Sequence, residues 1–349
     1  MEIQEQVLLA PFTTFGIGGP ARWFVEAASE ADVVDAVRWA RDRAVPLFVL
    51  GGGSNLLISD AGFSGLVLRV VLKGIGTFPS DSGMLFRVAA GEDWDEFVSL
   101  AVMQNCAGIE CLAGIPGTVG GTPVQNVGAY GQEVAETILG VRVMDLETLE
   151  FREMTAAECG FAYRSSVFNS TARGQFLVTR VDYRLRPGGE VNLRYADLQK
   201  VFTAGSNPGL LEVANAVHHI RQSKGMLLVE GDPDCRSAGS FFKNPVVSAV
   251  EFAHLSARLG SAQLGSVPPS YPAGEGLVKL PAAWLIEQAG FPKGFRLGRA
   301  GISSRHTLAL VNLGGATAAD LLVLRDVIVA GVSERFGIAL AMEPVMVGF

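Results

Sequence analysis

Hydrophobic positions alternate between helical and extended spacing along the first third of the chain. Val33, Val37 and Ala40 recur at helical intervals in a segment that opens on Ser29 with Asp32 three residues on, a capping-box-like pair. Pro46 closes that helix, and the apolar run Leu47 to Leu50 predicts a strand leading directly into Gly51, Gly52, Gly53, Ser54 and Asn55. A second apolar run, Leu66 to Leu72, predicts another strand and completes a small α/β unit ending near residue 72. The pattern then repeats: a strand over 85–90, a cap-like Asp93/Glu96 pair, and a helix expected to run from Trp94 to Cys106. After a long glycine-rich stretch the chain turns to strands over 138–146 and 175–186. A third block starts at a helix with Asn207 as its cap and Pro208 in its first turn, where a missing N–H costs nothing. It continues with a helix over 282–290, a strand over 307–313 and a long helix from Thr317 to about Phe336.

Composition fits a folded protein with a large core. Of 349 residues, 49% are hydrophobic and 18% charged, which excludes a disordered chain. The length suggests two or three domains. The net charge, 28 − 35 = −7, argues against a nucleic-acid partner but leaves room for a local basic pocket around a small anion. The N-terminal MEIQEQ lacks the basic-then-apolar order of a signal peptide, and the longest apolar run (321–332) is broken by Arg325 and Asp326. A cytoplasmic protein with no membrane insertion is expected. Cys106, Cys111, Cys159 and Cys235 form no C-x-x-C pair, so reduced thiols and no metal site are expected.

Glycine is the compositional outlier, 42 of 349 residues or 12%, against a usual ~7%. The first cluster, Gly16 to Ala21, matches G-x-G-x-x-G/A, but no strand precedes it and Pro20 sits where a helix should open, so a dinucleotide fingerprint is rejected. The chain contains neither a P-loop string nor a G-x-S-x-G elbow. The cluster Gly51–Asn55 ends an apolar strand, where backbone N–H groups can converge on a phosphate; a plain tight turn remains the alternative. The 18 residues from Gly114 to Gly131 carry almost no charge and little alternation. Their backbone polar groups must be satisfied by something, and a buried diphosphate and ring system would serve. Together the two segments favour a dinucleotide held outside a Rossmann fold.

Four strings, GGGSN, GIPGTVGGTPVQNVGAYG, FAYRSSVF and AGSFFKNP, stand in an order that resembles the UDP-N-acetylenolpyruvoylglucosamine reductase (MurB) family, and the resemblance runs from TTFGIGGPA to MEPVMVGF. It implies an α+β fold: an FAD-binding fold of the vanillyl-alcohol-oxidase (PCMH) type in two α/β subdomains (1–72 and 73–205) plus a C-terminal α+β substrate domain (206–349), with the tail returning toward the first. It implies NADPH-dependent reduction of an enolpyruvyl UDP-sugar in peptidoglycan precursor synthesis, that is, UDP-N-acetylmuramate dehydrogenase activity, by a monomer. FAD is expected to be non-covalent, because His218, His219, His254 and His306 all lie outside the glycine segments.

Residue by residue, the resemblance implies FAD contacts at Gly51, Gly52, Gly53, Ser54, Asn55, Pro116, Gly117, Thr118, Gly120, Gly121, Asn126, Gly128 and Ala129. It makes Ser240 the proton donor, Arg164 the partner of the enolpyruvyl carboxylate, and Glu343 a hydrogen-bonding acid that keeps or shares its proton. By their residue types alone, Arg164 could be a structural ion-pair partner and Ser240 a turn serine. Tyr195, in LRYADL, matches a tyrosine loop that closes over the UDP-sugar in the family's longer subtype. Arg221 and Lys224 match the diphosphate, with a helix C-terminal cationic cap as the alternative for Arg221. Asn244 matches a diphosphate or uridine contact, and His306 a substrate-facing polar position. No dedicated NADPH motif is visible. The short stretch after Glu343 suggests that the first domain lacks a terminal strand. Two other readings stay open: another non-covalent FAD oxidoreductase of this fold, or a silent flavin- or nucleotide-binding module.

Overall fold

Ser29 caps the first helix as its spacing requires: its hydroxyl accepts from Asp32 N while the Asp32 carboxylate accepts from Ser29 N, and α1 runs Glu30–Asp42. The computed structural model describes residues 1–203, 205–261 and 268–349. Its helices are α1, α2 (Trp94–Met103), α3 (Ala196–Val201), α4 (Leu210–Ser223), α5 (Ala249–Ser261), α6 (Ala282–Gln288) and α7 (Ala318–Phe336). Asp93 caps α2 by accepting from Glu96 N at 3.0 Å, and Thr317 caps α7 with Asp320 in a full capping box. The chain is α+β, and it divides into two compact units.

One unit comprises Met1–Leu8, Pro20–Gly53 and Phe63–Ser223. A four-stranded sheet orders Gln4–Leu8, Pro20–Ala27, Phe63–Val70 and Leu47–Leu50, the last three mutually parallel. An antiparallel sheet orders Phe151–Thr155, Ile138–Asp145, Phe176–Pro187, Gly83–Ala89 and Ile75–Ser80, with Cys106–Ala107 added beside Phe176–Pro187. Val33, Val37 and Ala40 of α1 join the core with Leu66, Leu68, Phe86, Trp94 and Phe97.

The other unit comprises Leu9–Gly19, Ser54–Gly62 and Lys224–Phe349. Leu321, Leu324, Ile328 and Val332 of α7 pack with Phe241, Phe242, Leu285 and Ile286. The tail forms a strand after all: Val345–Val347 pairs in parallel with Leu56–Ile58.

Three expectations shift. Helix α2 stops at Met103 and not Cys106, because Asn105 turns left-handed (φ 54°) and Cys106 starts a strand. Helix α4 begins at Leu210, beyond the expected Asn207 cap, and Glu212 accepts from Gly209 N at 2.7 Å at its entry. The unit boundary falls after α4, at 223/224, where 205/206 was expected. Val213, Ala214, Ala216 and Val217 of α4 are buried in the core that holds α2, and this keeps the helix with the first unit. Among the described residues no helix is long and apolar enough to cross a membrane.

Candidate active site

The two glycine segments meet backbone to backbone. A Cβ on Gly52 would lie 2.5 Å from Gly117 Cα and 2.9 Å from Thr118 N, and one on Gly51 would lie 3.0 Å from Thr118 Oγ1. No side chain is compatible with that approach at Gly52. The second segment is more self-sufficient than its composition suggests. Val119 N donates to Glu92 O, Gly120 N to Ala90 O and Gly121 N to Thr118 O. Most of its backbone demand is met by protein, in short turns and a hairpin, so the sequence argument for a ligand to satisfy it is weaker than it looked. The close approach of Gly52 to Gly117 and the open space beside Gly121 are the features that fit an anionic dinucleotide, and the donors there are neutral backbone and hydroxyl groups.

The hairpin pairs Gly128–Ala129 with Gln132–Glu133, and its two turn residues, Tyr130 (φ 49°) and Gly131 (φ 84°), both have the positive φ of a type I′ turn. Tyrosine is an unusual occupant there, and such local strain is commonly retained at functional sites. Tyr130 is 7% exposed; its ring meets Tyr195 edge-on at 5.2 Å, and its hydroxyl is hydrogen-bonded to Arg221. Sequence reasoning missed Tyr130. The available signal was an aromatic between small residues in GAYG.

Arg164 also adopts a left-handed backbone (φ 52°), in a two-residue turn closed by Ala162 and Ser165. Its Nη2 donates to Gly128 O at 2.6 Å. A Cβ on Gly128 would approach Arg164 Nη1 at 3.1 Å and Glu133 Cγ at 2.7 Å, so the guanidinium lies across a bare glycine. Asn169 Nδ2 holds the Arg164 carbonyl at 3.2 Å.

Two expected ligand contacts are engaged with the protein itself. Asn126, 1% exposed, donates to Glu133 Oε2 (2.8 Å) and Ala162 O (3.1 Å) and accepts from Ala135 N (3.1 Å). Arg221, 5% exposed, donates from Nε to Gly114 O at 2.9 Å, and burial holds its guanidinium below the usual arginine range. Both brace the glycine segment. Asn192 ties the stretch before Tyr195 to the same segment: its Nδ2 donates to Gly131 O (2.8 Å), and its N–H reaches the fully buried Glu110 carboxylate (3.1 Å).

In the other unit, short backbone bridges gather a second group. Glu343 N donates to Phe241 O (2.9 Å) and Lys243 N to Ala341 O (2.9 Å), which sets the half-buried Glu343 beside the Ser240–Phe241 backbone. Phe241 N donates to Leu308 O at 2.7 Å, and this brings Ser240 next to the turn carrying His306; Ser240 Oγ and His306 Nε2 are 3.5 Å apart. Asn55 Nδ2 donates to Glu343 O at 3.3 Å, and Thr14 Oγ1 donates to Ser54 O at 3.4 Å. Asn244 spends its Oδ1 on Ala282 N at the start of α6 (2.9 Å), and Lys224 follows directly after α4. Residues as far apart as Asn55 and Glu343, 288 positions, thus come together, with Asn55, Ser240, His306 and Glu343 in one neighbourhood.

Comparison with known proteins gives these geometries a common context. Residues 21–149 match an FAD binding domain family, and residues 232–347 match the C-terminal domain of UDP-N-acetylenolpyruvoylglucosamine reductase. The UDP-N-acetylenolpyruvoylglucosamine reductase of Thermobifida fusca is 48% identical over 99% of this chain and 98% of its own, and that of Streptomyces coelicolor 46% identical over 97% and 89%. The crystal structure of the Thermus caldophilus reductase (MurB) superimposes with a TM-score of 0.67 at 27% identity, covering 99% of both chains. Similarity of this level along essentially the whole length places the chain in the UDP-N-acetylenolpyruvoylglucosamine reductase family.

Proposed function

We propose that the chain reduces the enolpyruvyl ether of a UDP-sugar, UDP-N-acetylglucosamine enolpyruvate, to UDP-N-acetylmuramate for peptidoglycan precursor synthesis. FAD is the cofactor and NADPH the reductant. The observation that carries the cofactor reading is the approach of Gly52 to Gly117, a backbone cradle that any Cβ would fill. Gly51 to Gly53, Ser54, Pro116 to Thr118, Gly120, Gly121 and Ala129 would hold the dinucleotide, non-covalently. When bound, FAD would supply the hydride chemistry that reduces the enolpyruvyl double bond, with NADPH as the hydride source.

The protein's part is binding, charge and proton delivery. Arg164 offers a planar fork that can take the enolpyruvyl carboxylate with two hydrogen bonds, and its strained turn fixes where that fork stands. Ser240 gives the proton to the carbon next to that carboxylate. Glu343 hydrogen-bonds the carboxylate side as negative charge develops. Tyr195, backed by Tyr130, covers the UDP moiety, and Lys224 and Asn244 meet its diphosphate or uridine. Arg221 and Asn126 contribute by bracing the glycine segment. The FAD-binding subdomains would be 1–72 and 73–223, the second extended from 205 to keep α4, and 224–349 the substrate domain.

The same reading makes the enzyme a cytoplasmic monomer. Its cysteines support a reducing compartment: Cys106, Cys111, Cys159 and Cys235 are free thiols, and burial pushes Cys159 up to about 12. The test is spectroscopic. Purified protein should be yellow and release intact flavin on denaturation; NADPH should bleach the flavin band and substrate restore it. Colourless protein that cannot be reconstituted with FAD would end this reading, and flavoprotein indifferent to the UDP-sugar would favour an oxidoreductase with another substrate.

A further inference from the structure

We infer that His306 is the proton relay behind Ser240, returning a proton to Oγ after the serine has protonated the substrate carbon. This rests on the reductase reading above and concerns the source of the proton within it. A serine hydroxyl is a weak acid, and giving up its proton leaves an alkoxide that must be quenched where it forms. His306 Nε2, 3.5 Å from Ser240 Oγ, is placed to do so. Imidazole is the side chain whose proton exchanges most readily near neutral pH.

The surroundings hold this pair in place from both sides. Phe241 N donates to Leu308 O at 2.7 Å, and Gly239 N to Ser237 Oγ at 3.3 Å, fixing the backbone around Ser240. On the other side His306 N donates to the Oγ of fully buried Ser303 (3.2 Å), and Ala309 N returns to His306 O (3.0 Å). The neighbouring Arg305 is clamped by Asp234, at 3.0 Å from Nε, and by Asp232, while Asp234 also accepts from Ser304 N (3.0 Å) and Ser304 Oγ (2.6 Å). The turn from Ser303 to His306 is thus anchored at four successive residues, a large investment for a single half-buried imidazole.

The proton count closes. The Ser240 O–H bond breaks as the substrate C–H bond forms; the Nε2–H bond of imidazolium then breaks as the serine O–H bond re-forms; neutral imidazole regains a proton from solvent, which its half-buried position permits. No oxidant or reductant enters.

Stopped-flow on the FAD-loaded enzyme separates the two readings, because the NADPH phase is an internal reference. Wild-type enzyme that fails in both phases refutes the reductase reading; a defect confined to variants speaks to the relay. His306→Ala and the near-isosteric His306→Gln should slow the substrate phase at least about tenfold relative to the NADPH phase. Free imidazole should restore the His306→Ala rate, which a merely structural role would not allow. In the wild-type holoenzyme, the His306 imidazole resonances should titrate with a midpoint that moves on Ser240→Ala. Full-rate His306→Gln, absence of imidazole rescue, or a His306 titration indifferent to Ser240 would each overturn the relay.

Discussion

Asn55 Nδ2 donates to the carbonyl of Glu343 at 3.3 Å, and Val345 N closes back on Asn55 O at 2.9 Å. The residue that ends the first glycine cluster is therefore also the one that fixes the backbone of the proposed catalytic acid. Asn55→Ala removes the amide and leaves the Glu343 carbonyl short of a donor. A loss of about 1 kcal/mol is expected, seen as a fall of roughly 2–4 °C in the melting temperature. The substrate phase should slow more than that loss of stability explains. An unchanged melt together with an unchanged substrate phase would show that the contact does nothing.

Gly52→Ala should abolish flavin binding while the protein still folds. The added methyl would sit 2.5 Å from Gly117 Cα, so the two segments must separate, at a cost of about 1–3 kcal/mol. Flavin-to-protein absorbance ratios, alongside circular dichroism of the variant, check this. Stoichiometric flavin in Gly52→Ala would mean that the cradle is not where FAD lies.

Arg164→Lys keeps the charge but loses the fork. Because Arg164 sits at φ 52°, Arg164→Gly is the better-tolerated backbone and the harsher chemical change. Both should depress the rate of the substrate phase at least tenfold, about 1.4 kcal/mol of lost transition-state stabilisation, with the NADPH phase as reference. Rapid-mixing traces decide it; a variant that matches wild type in both phases would remove Arg164 from the chemistry.

Stability should have an acid limb set partly by Glu30. The Arg142 guanidinium donates to it at 2.7 and 3.0 Å, and Thr179 adds a third bond at 2.9 Å. Arg142 above all holds this carboxyl below the usual range, against the opposing effect of partial burial. A lowered folded pKa contributes stability above the unfolded value of about 4.3, and that contribution is lost as pH falls through the folded value. Glu30→Gln should thus be less stable than wild type at pH 7, by under about 1 kcal/mol for a pair that solvent still partly screens. The gap should close on acidification. Melting temperatures of both proteins from neutral to acid pH test it, and a gap that widens toward acid would contradict the assignment.

Much of the local structure was legible because it rests on neighbours in sequence. The Ser29/Asp32 and Asp93/Glu96 caps span only four residues each, and both form. What could not be read depends on distant partners or on unusual backbone. Asn105 ends α2 early by turning left-handed, which composition does not announce. The glycine segment looked in need of a ligand because its hydrogen bonds to Glu92 and Ala90 are invisible from its own residues. Motifs singled out Ser240, Arg164 and Glu343 for the proposed chemistry, yet Tyr130 and Glu110 escaped notice, since their importance lies in what they touch. The resemblance sets Arg221 and Asn126 against a ligand, and their own residue types do not show that both also bond to the protein around the glycine segment.

The parallel pairing of Leu56–Ile58 with Val345–Val347 also has a temporal side. The early strand emerges from the ribosome long before its partner, with 288 residues separating Asn55 from Glu343. At 5–20 residues per second that gap lasts roughly 15–60 s. Throughout it, the strand edge that Val345–Val347 will cover has no mate, so the second unit closes only after synthesis of the tail, while the first, apart from its short N-terminal pieces, is continuous from Phe63 to Ser223 and can fold ahead of it.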